Sequence, residues 1–150
     1  MDQTILKDVL ISENELLRYY EGMVPIDLWR GLHIKKNKEL FELVETAFEM
    51  QSGRMRPQDI RIENGWVKVQ YSPRGISTFD KPGVPKGRDW VYYRIPAGTK
   101  LPPGLAVVKD SYNRALEATH YTIAPMHNMP LAVFKKLLSD LAVMAIKEAL

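Results

Sequence analysis

The chain has 150 residues, 45% of them hydrophobic and 26% charged, and no cysteine. This composition excludes a disulfide framework, a thiolate metal site and thiol catalysis, argues against disorder or a fibrous repeat, and suits one α+β domain over residues 1–150. The net charge of +3 is unevenly spread: residues 1–50 hold 6 basic and 10 acidic side chains, residues 51–114 hold 12 basic and 5 acidic, so an anionic ligand has one stretch to seek.

The first ten residues lack the apolar core of a secretory signal and the character of a mitochondrial presequence. The longest apolar run, Leu141–Ile146, is too short to cross a bilayer. A soluble cytoplasmic protein without a membrane partner is expected. Ser12-Glu13-Asn14-Glu15 has the form of a capping box and predicts a short helix ending near Gly22. From Ile26 to Ile34 the alternation of Leu28, Leu32 and Ile34 with Trp29 and His33 predicts a strand, with Arg30 on its apolar face. Asn37 is read as the cap of a helix to about Gln51, with Leu40, Phe41, Val44, Ala47 and Phe48 as its apolar stripe. Glu39, Glu42, Glu45 and Glu49 would form its solvated face.

Helical spacing then gives way to glycine, proline and short aromatic runs. Asn64-Gly65 is a hairpin turn leading into a strand over Trp66–Tyr71. Further strands are expected at Gly75–Phe79, Trp90–Ile95, Leu105–Lys109 and Ala118–Ile123. Asp110-Ser111-Tyr112-Asn113-Arg114 is read as a helix cap. Asn128 and Pro130 open a last helix with Leu131, Phe134, Leu138, Leu141 and Ala145 inward.

No phosphate loop, nucleophile elbow, zincin motif or dinucleotide fingerprint is present. Three histidines, His33, His120 and His127, would need carboxylates to hold zinc, and no metal site is read. The chemistry-bearing candidates are side chains on predicted strands. Arg30 either presents its fork to an anion or covers core with its stem. Ser77 and Thr78 offer hydroxyls beside glycine, or form an ordinary strand edge. Arg56 is taken alone as a surface arginine. His120 is either an acid, base or donor, or a hydrogen-bonded structural histidine. Trp66, Tyr71, Trp90, Tyr92 and Tyr93 within the basic stretch keep a nucleic-acid-binding or nucleic-acid-cleaving toxin open as the less favoured alternative.

The second half of the chain resembles a known family. Gly75-Ile76-Ser77-Thr78-Phe79-Asp80, Gly83-Val84, Ile95-Pro96-Ala97-Gly98-Thr99, Pro102-Pro103-Gly104-Leu105, Asp110-Ser111-Tyr112-Asn113 and Ala118-Thr119-His120-Tyr121-Thr122-Ile123-Ala124-Pro125 are similar, in order and spacing, to type VI secretion cytoplasmic toxins of the type six exported effector two kind. Upstream, Leu28-Trp29-Arg30-Gly31-Leu32 and Arg56-Pro57-Gln58-Asp59-Ile60 resemble it more weakly. The resemblance implies an ADP-ribosyltransferase-like fold of two small packed sheets with N-terminal helices and a C-terminal helix. It implies NAD as substrate, a cognate immunity protein as partner, a cellular target not yet identified, and action in the target-cell cytoplasm. By position it implies Arg56, Ser77 and His120 as catalytic residues. Arg30 would face the NAD phosphates, with Thr78 and Tyr121 also binding the cofactor. The glutamate typical of many such transferases has no clear match; His120 or Tyr121 occupies its strand, and Glu117 lies nearby. Ile76 stands where the family has threonine. Either Thr78, one pleat along, supplies that hydroxyl about 6–7 Å away, or the hydroxyl is dispensable, or the activity is altered. A toxin that keeps the fold without NAD chemistry is the third reading.

Overall fold

A computed structural model describes residues 3–150; Met1 and Asp2 lie outside the described residues. Helix α1 (Leu6–Ser12) buries Leu6 and Leu10, four residues apart and so on one face. A 3₁₀ turn, Leu16–Arg18, leads into strand β1 (Tyr19–Glu21). The following elements are β2 (Leu28–His33), β3 (Phe48–Glu49), β4 (Met55–Arg56), β5 (Arg61–Glu63), β6 (Trp66–Lys68), β7 (Ile76–Phe79), β8 (Trp90–Ile95), β9 (Leu105–Asn113), β10 (Ala118–Pro125), β11 (Met129–Pro130), helix α2 (Leu131–Ala142) and β12 (Ile146–Glu148). The class is α+β, with antiparallel pairing throughout the described sheets.

Instead of two separate small sheets, seven strands form one, in the order β1-β9-β10-β7-β2-β8-β12. Its two halves are joined loosely. Strands β2 and β8 share six register pairs, whereas β2 and β7 meet only at Trp29↔Phe79. The strands diverge beside that point, and the opening holds the candidate site described below. A three-stranded sheet (β11-β6-β5) and a two-stranded ribbon (β3-β4) complete the β structure. The Asn64-Gly65 turn joins β5 to β6 with both residues at positive φ, 50° and 77°, as a type I′ hairpin requires.

The main core packs Phe134, Leu138 and Leu141 of α2 with Leu28, Ile76, Ile95, Tyr121 and Ile123. A smaller cluster packs Leu6 and Leu10 of α1 on Ala106, Val108 and Ala124. Adjacent β9 residues belong to different clusters because strand side chains alternate between faces. No helix among the described residues is long and apolar enough to cross a membrane.

Several expected elements are replaced. Ser12 closes α1 rather than opening a helix, and its hydroxyl donates to Val9 O. The helix expected from Asn37 to Gln51 is absent; turns and β3 occupy that stretch. The hydrogen bonds give the reason. A helix would pair the Val44 N–H with the Leu40 carbonyl. Here Leu40 O accepts from Arg30 Nε at 3.1 Å, and Val44 N–H donates to Asp59 Oδ2 at 2.7 Å. Asp110–Asn113 does not cap a helix but continues β9. Helix α2 begins after Pro130, and Asn128 instead accepts the Val69 N–H at 2.7 Å.

Two phenols are tuned by this packing. Burial, then the hydrogen bond to Glu21 and its charge, push Tyr19 above its ordinary value. Burial, then Tyr20 and Asp80, push Tyr121 up from 10.0. Above the ordinary phenol range an unfolded chain therefore loses protons that the native state keeps. Stability is present below that range and falls as pH rises through it. Denaturant midpoints should decline on the alkaline side, and Tyr121→Phe should make the decline shallower.

Candidate functional site

Ser77 and Thr122 are direct cross-strand partners on β7 and β10 and face the opening beside β2. His120, two residues before Thr122, faces the same way. One compartment, a cavity of about 710 Å³, is lined by Arg18, Arg56, Arg74, Ser77, Asp110 and His120 among others. The adjoining compartment, of about 540 Å³, is more aromatic, with Trp29, Arg30, Phe48, Phe79 and Trp90. Arg56 and Ser77 line both. The two compartments thus adjoin at Arg56 and Ser77, one polar and the other more aromatic, and each has the size of a small-molecule site.

Arg30 crosses the gap between β2 and β7. Its Nη1 donates to Ser77 O at 3.0 Å and its Nε to Leu40 O. Burial lowers its pKa; Asp59 opposes that, Arg56 adds to it, and Glu42 opposes it again. Arg56 reaches the cleft from β4. Its Nη2 donates to Asp59 Oδ1 at 2.9 Å and its Nη1 to Pro57 O at 2.8 Å. Arg74 approaches from the β6–β7 connection and donates to the main-chain carbonyls of Gln58 and Asp59.

The floor is a chain of polar contacts. His120 Nδ1 lies 2.7 Å from Asp110 Oδ2, which also accepts from Thr122 Oγ1. Asp110 Oδ1 accepts from Arg18 Nη2 at 3.1 Å. Arg18 also pairs with Glu15, which accepts from the Tyr71 hydroxyl at 2.7 Å. The His120 ring lies against Phe79, centroids 5.4 Å apart. Ser77 Oγ and His120 Nε2 make no hydrogen bond to protein among the described residues.

Four of the six residues expected from sequence, Arg30, Arg56, Ser77 and His120, come together here. Thr78 and Tyr121 do not. They are buried partners on the opposite face, where Thr78 Oγ1 donates to Tyr121 O at 2.9 Å. Ile76 shares that core face and is 1% exposed. A hydroxyl at position 76 would therefore also turn away from the cleft, and Thr78 does not replace it there. Glu117 sits at positive φ in the β9–β10 turn and lines a different cavity. Asp59, Asp110, Arg18 and Arg74 are not among the site residues expected from sequence. Asp110 was legible only by extending the β9 alternation through the presumed cap. Asp59 was legible only as the partner of a nearby arginine in Arg56-Pro57-Gln58-Asp59. No group of three or more His, Asp or Glu side chains that could hold a metal occurs among the described residues. Of the five aromatics considered for nucleic acid, Tyr92 and Tyr93 alternate across β8, Trp90 packs edge-on against His33, and Trp66 and Tyr71 are exposed.

Comparison with known proteins gives the family of the chain. A family model described as the Tse2 ADP-ribosyltransferase toxin matches residues 6–150. Toxin Tse2 of Pseudomonas aeruginosa (strain PAO1) is 49% identical over 61 residues, 39% of this chain and 38% of that toxin. The chain thus matches less than two fifths of the length of this curated relative.

Substitutions at two positions test the framework of the cleft. Arg30→Ala strands two carbonyl acceptors and should cost roughly 2–4 kcal/mol of unfolding free energy. Arg30→Lys should recover little, because an ammonium is a point donor rather than a fork. At Gly75 an added Cβ would lie 2.0 Å from Ile123 O, a backbone atom of the paired strand. Gly75→Ala should therefore cost about 1–3 kcal/mol or more. Urea titration reads both.

Proposed function

The chain belongs to the Tse2 ADP-ribosyltransferase toxin family, and from that premise we propose that it is a toxin using NAD as substrate in the cytoplasm of the cell it attacks. The observation that carries this reading is the pair of adjoining compartments, one polar and one aromatic, to both of which Arg56 and Ser77 are common. The donor set suits a dinucleotide. Arg30 and Arg56 offer guanidinium groups to a pyrophosphate at the junction. The aromatic compartment offers ring faces to a heterocycle. Ser77 Oγ, with no protein partner among the described residues, is free to bond a ribose or carboxamide.

NAD supplies the ADP-ribosyl group and nicotinamide as the leaving group. In this reading Arg30, Arg56 and Ser77 orient it, and His120 acts from the polar compartment. Thr78 and Tyr121 contribute from behind: their hydrogen bond locks β7 to β10 and fixes the spacing of Ser77 and His120. Delivery by a type VI secretion route and neutralisation by a cognate immunity protein belong to the same proposal, on the strength of the family.

Expression of the chain in bacteria should arrest growth. Ser77→Ala and His120→Ala should each relieve the arrest while leaving the unfolding midpoint close to that of the unchanged protein. Calorimetry with NAD should show binding, and nicotinamide release should fall with either substitution. Full toxicity of both variants at equal expression would remove these residues from the site. Absence of NAD binding in a toxic protein would favour a toxin that keeps the fold without the chemistry. Restored growth on co-expression of the neighbouring small gene would establish the immunity partner.

A further inference from the structure

We propose that Asp110 is a positioning residue that holds His120 with its proton on Nδ1 and its bare Nε2 toward the cleft, so that Nε2 takes the proton of the ADP-ribose acceptor. The proposal rests on the transferase reading above and adds the carboxylate on which His120 depends.

Three observations carry it. The first is the strand register. Thr119 pairs with Tyr112 and Tyr121 with Lys109, so Asp110 and Ser111 of β9 together face the single residue His120 of β10. This is a β-bulge, a device that re-aims a side chain at the expense of regular pairing. Here it lies at the two residues that touch each other across the strands. The second is saturation of the carboxylate. Asp110 is 15% exposed, and both its oxygens are used: Oδ2 by His120 Nδ1 and Thr122 Oγ1, Oδ1 by Arg18 Nη2. Donors on three sides leave the carboxylate little freedom. The third is the condition of the other ring nitrogen. His120 remains 29% exposed on the cleft, and Nε2 has no protein partner among the described residues.

A carboxylate is an acceptor only, so the neutral imidazole beside it must carry its proton on the facing nitrogen. Nε2 is then a lone-pair site directed at the cleft. As the acceptor oxygen forms its bond to the ribose C1′ and the bond to nicotinamide breaks, His120 Nε2 receives the proton that the oxygen loses. The imidazolium so formed lies against the Asp110 carboxylate, which stabilises it, and later yields the proton to solvent. The arrangement follows the general logic of a base oriented by a third group. Arg18 and Thr122 act one step further out by fixing Asp110.

The test begins on the unaltered protein, labelled with ¹⁵N-histidine, with the His120 signals assigned by their loss in His120→Gln. Where the ring carries one proton, the nitrogen shifts should show Nδ1 protonated and Nε2 bare. The reverse pattern overturns the proposal whether or not any variant folds. In Asp110→Asn the amide can present N–H to Nδ1, so the pattern should invert. Nicotinamide release should fall by about 10²-fold, the scale of a lost acid–base contribution, with little change in KM for NAD. Asp110→Glu, which restores a carboxylate, should recover part of the rate. Unchanged turnover in a folded Asp110→Asn overturns the proposal. If the unaltered protein releases no nicotinamide, the transferase reading fails on that ground while the ring pattern still reports separately on the Asp110 assignment.

Discussion

The Arg30 guanidinium spans the place where the seven-stranded sheet is weakest. Strands β2 and β7 share one register pair, and a gap there would expose main-chain carbonyls to no partner. Arg30 fills it with two donations, to Ser77 O on β7 and to Leu40 O on the irregular segment that follows β2. Much else depends on this. The segment is not helical here: the one N–H of Val44 that a helix would give to Leu40 O goes to Asp59 instead. Asp59 in turn fixes Arg56. One partly buried charge therefore sets the opening between the half-sheets, the course of the next thirty or so residues, and the position of the second arginine of the cleft. A lysine could not do this, since a single ammonium lacks the planar fork that serves two acceptors in different directions.

Once the opening is set, strand alternation divides the labour. On β7 and β10 every second residue faces the cleft: Ser77, His120 and Thr122. Those between them, Ile76, Thr78, Tyr121 and Ile123, enter the core. The two sets are constrained differently. Core-side residues must fill space and satisfy their own polar atoms, which Thr78 does through Tyr121 O. Cleft-side residues can keep polar atoms unpartnered because water or ligand reaches them. Ile76 is consistent with this division: its side chain touches only core, so an isoleucine for threonine exchange alters packing rather than the donor set of the cleft.

The legible parts of the chain were those governed by local rules. Period-two alternation marked β2 and β10, and short runs bounded by glycine and proline marked β7 and β8. The Asn64-Gly65 turn marked its hairpin, and the proline and apolar stripe marked α2. The illegible parts were those in which a distant group overrides a local preference. Leu40, Phe41, Val44, Ala47 and Phe48 have helical spacing, yet a carboxylate fifteen residues downstream takes the Val44 N–H that a helix would need. Asp110-Ser111 carries a cap's composition, yet its hydrogen-bonding partners lie on β10 and on Arg18, 92 residues away in the chain. In the site, residue types pointed to Arg30, Ser77 and His120 and the family resemblance added Arg56, whereas Thr78 and Tyr121 were excluded only by which face each presents. Motif spacing does not record that face when two adjacent residues both bear hydroxyls.

Charge distribution follows the same logic. The acidic first third and the basic middle are not two separate surfaces, because they are partly paired with one another. Asp27 meets Arg94 of the middle, and Glu45 meets Lys135 beyond it on α2. Within the first third, Glu15 meets Arg18 beside the cleft. Such exposed or half-exposed pairs contribute about 0–1 kcal/mol each, so their effect is on placement more than on stability. What remains at the cleft is small. Its lining carries five Arg or Lys and four carboxylate side chains. Arg18 and Arg56 are engaged by acids, whereas Arg30 and Arg74 donate only to main-chain carbonyls. A polyanion is held by a broad excess of positive charge. A cleft with a surplus of one cation, and with two arginines whose charge no carboxylate cancels directly, instead suits a single compact anion that aligns with both.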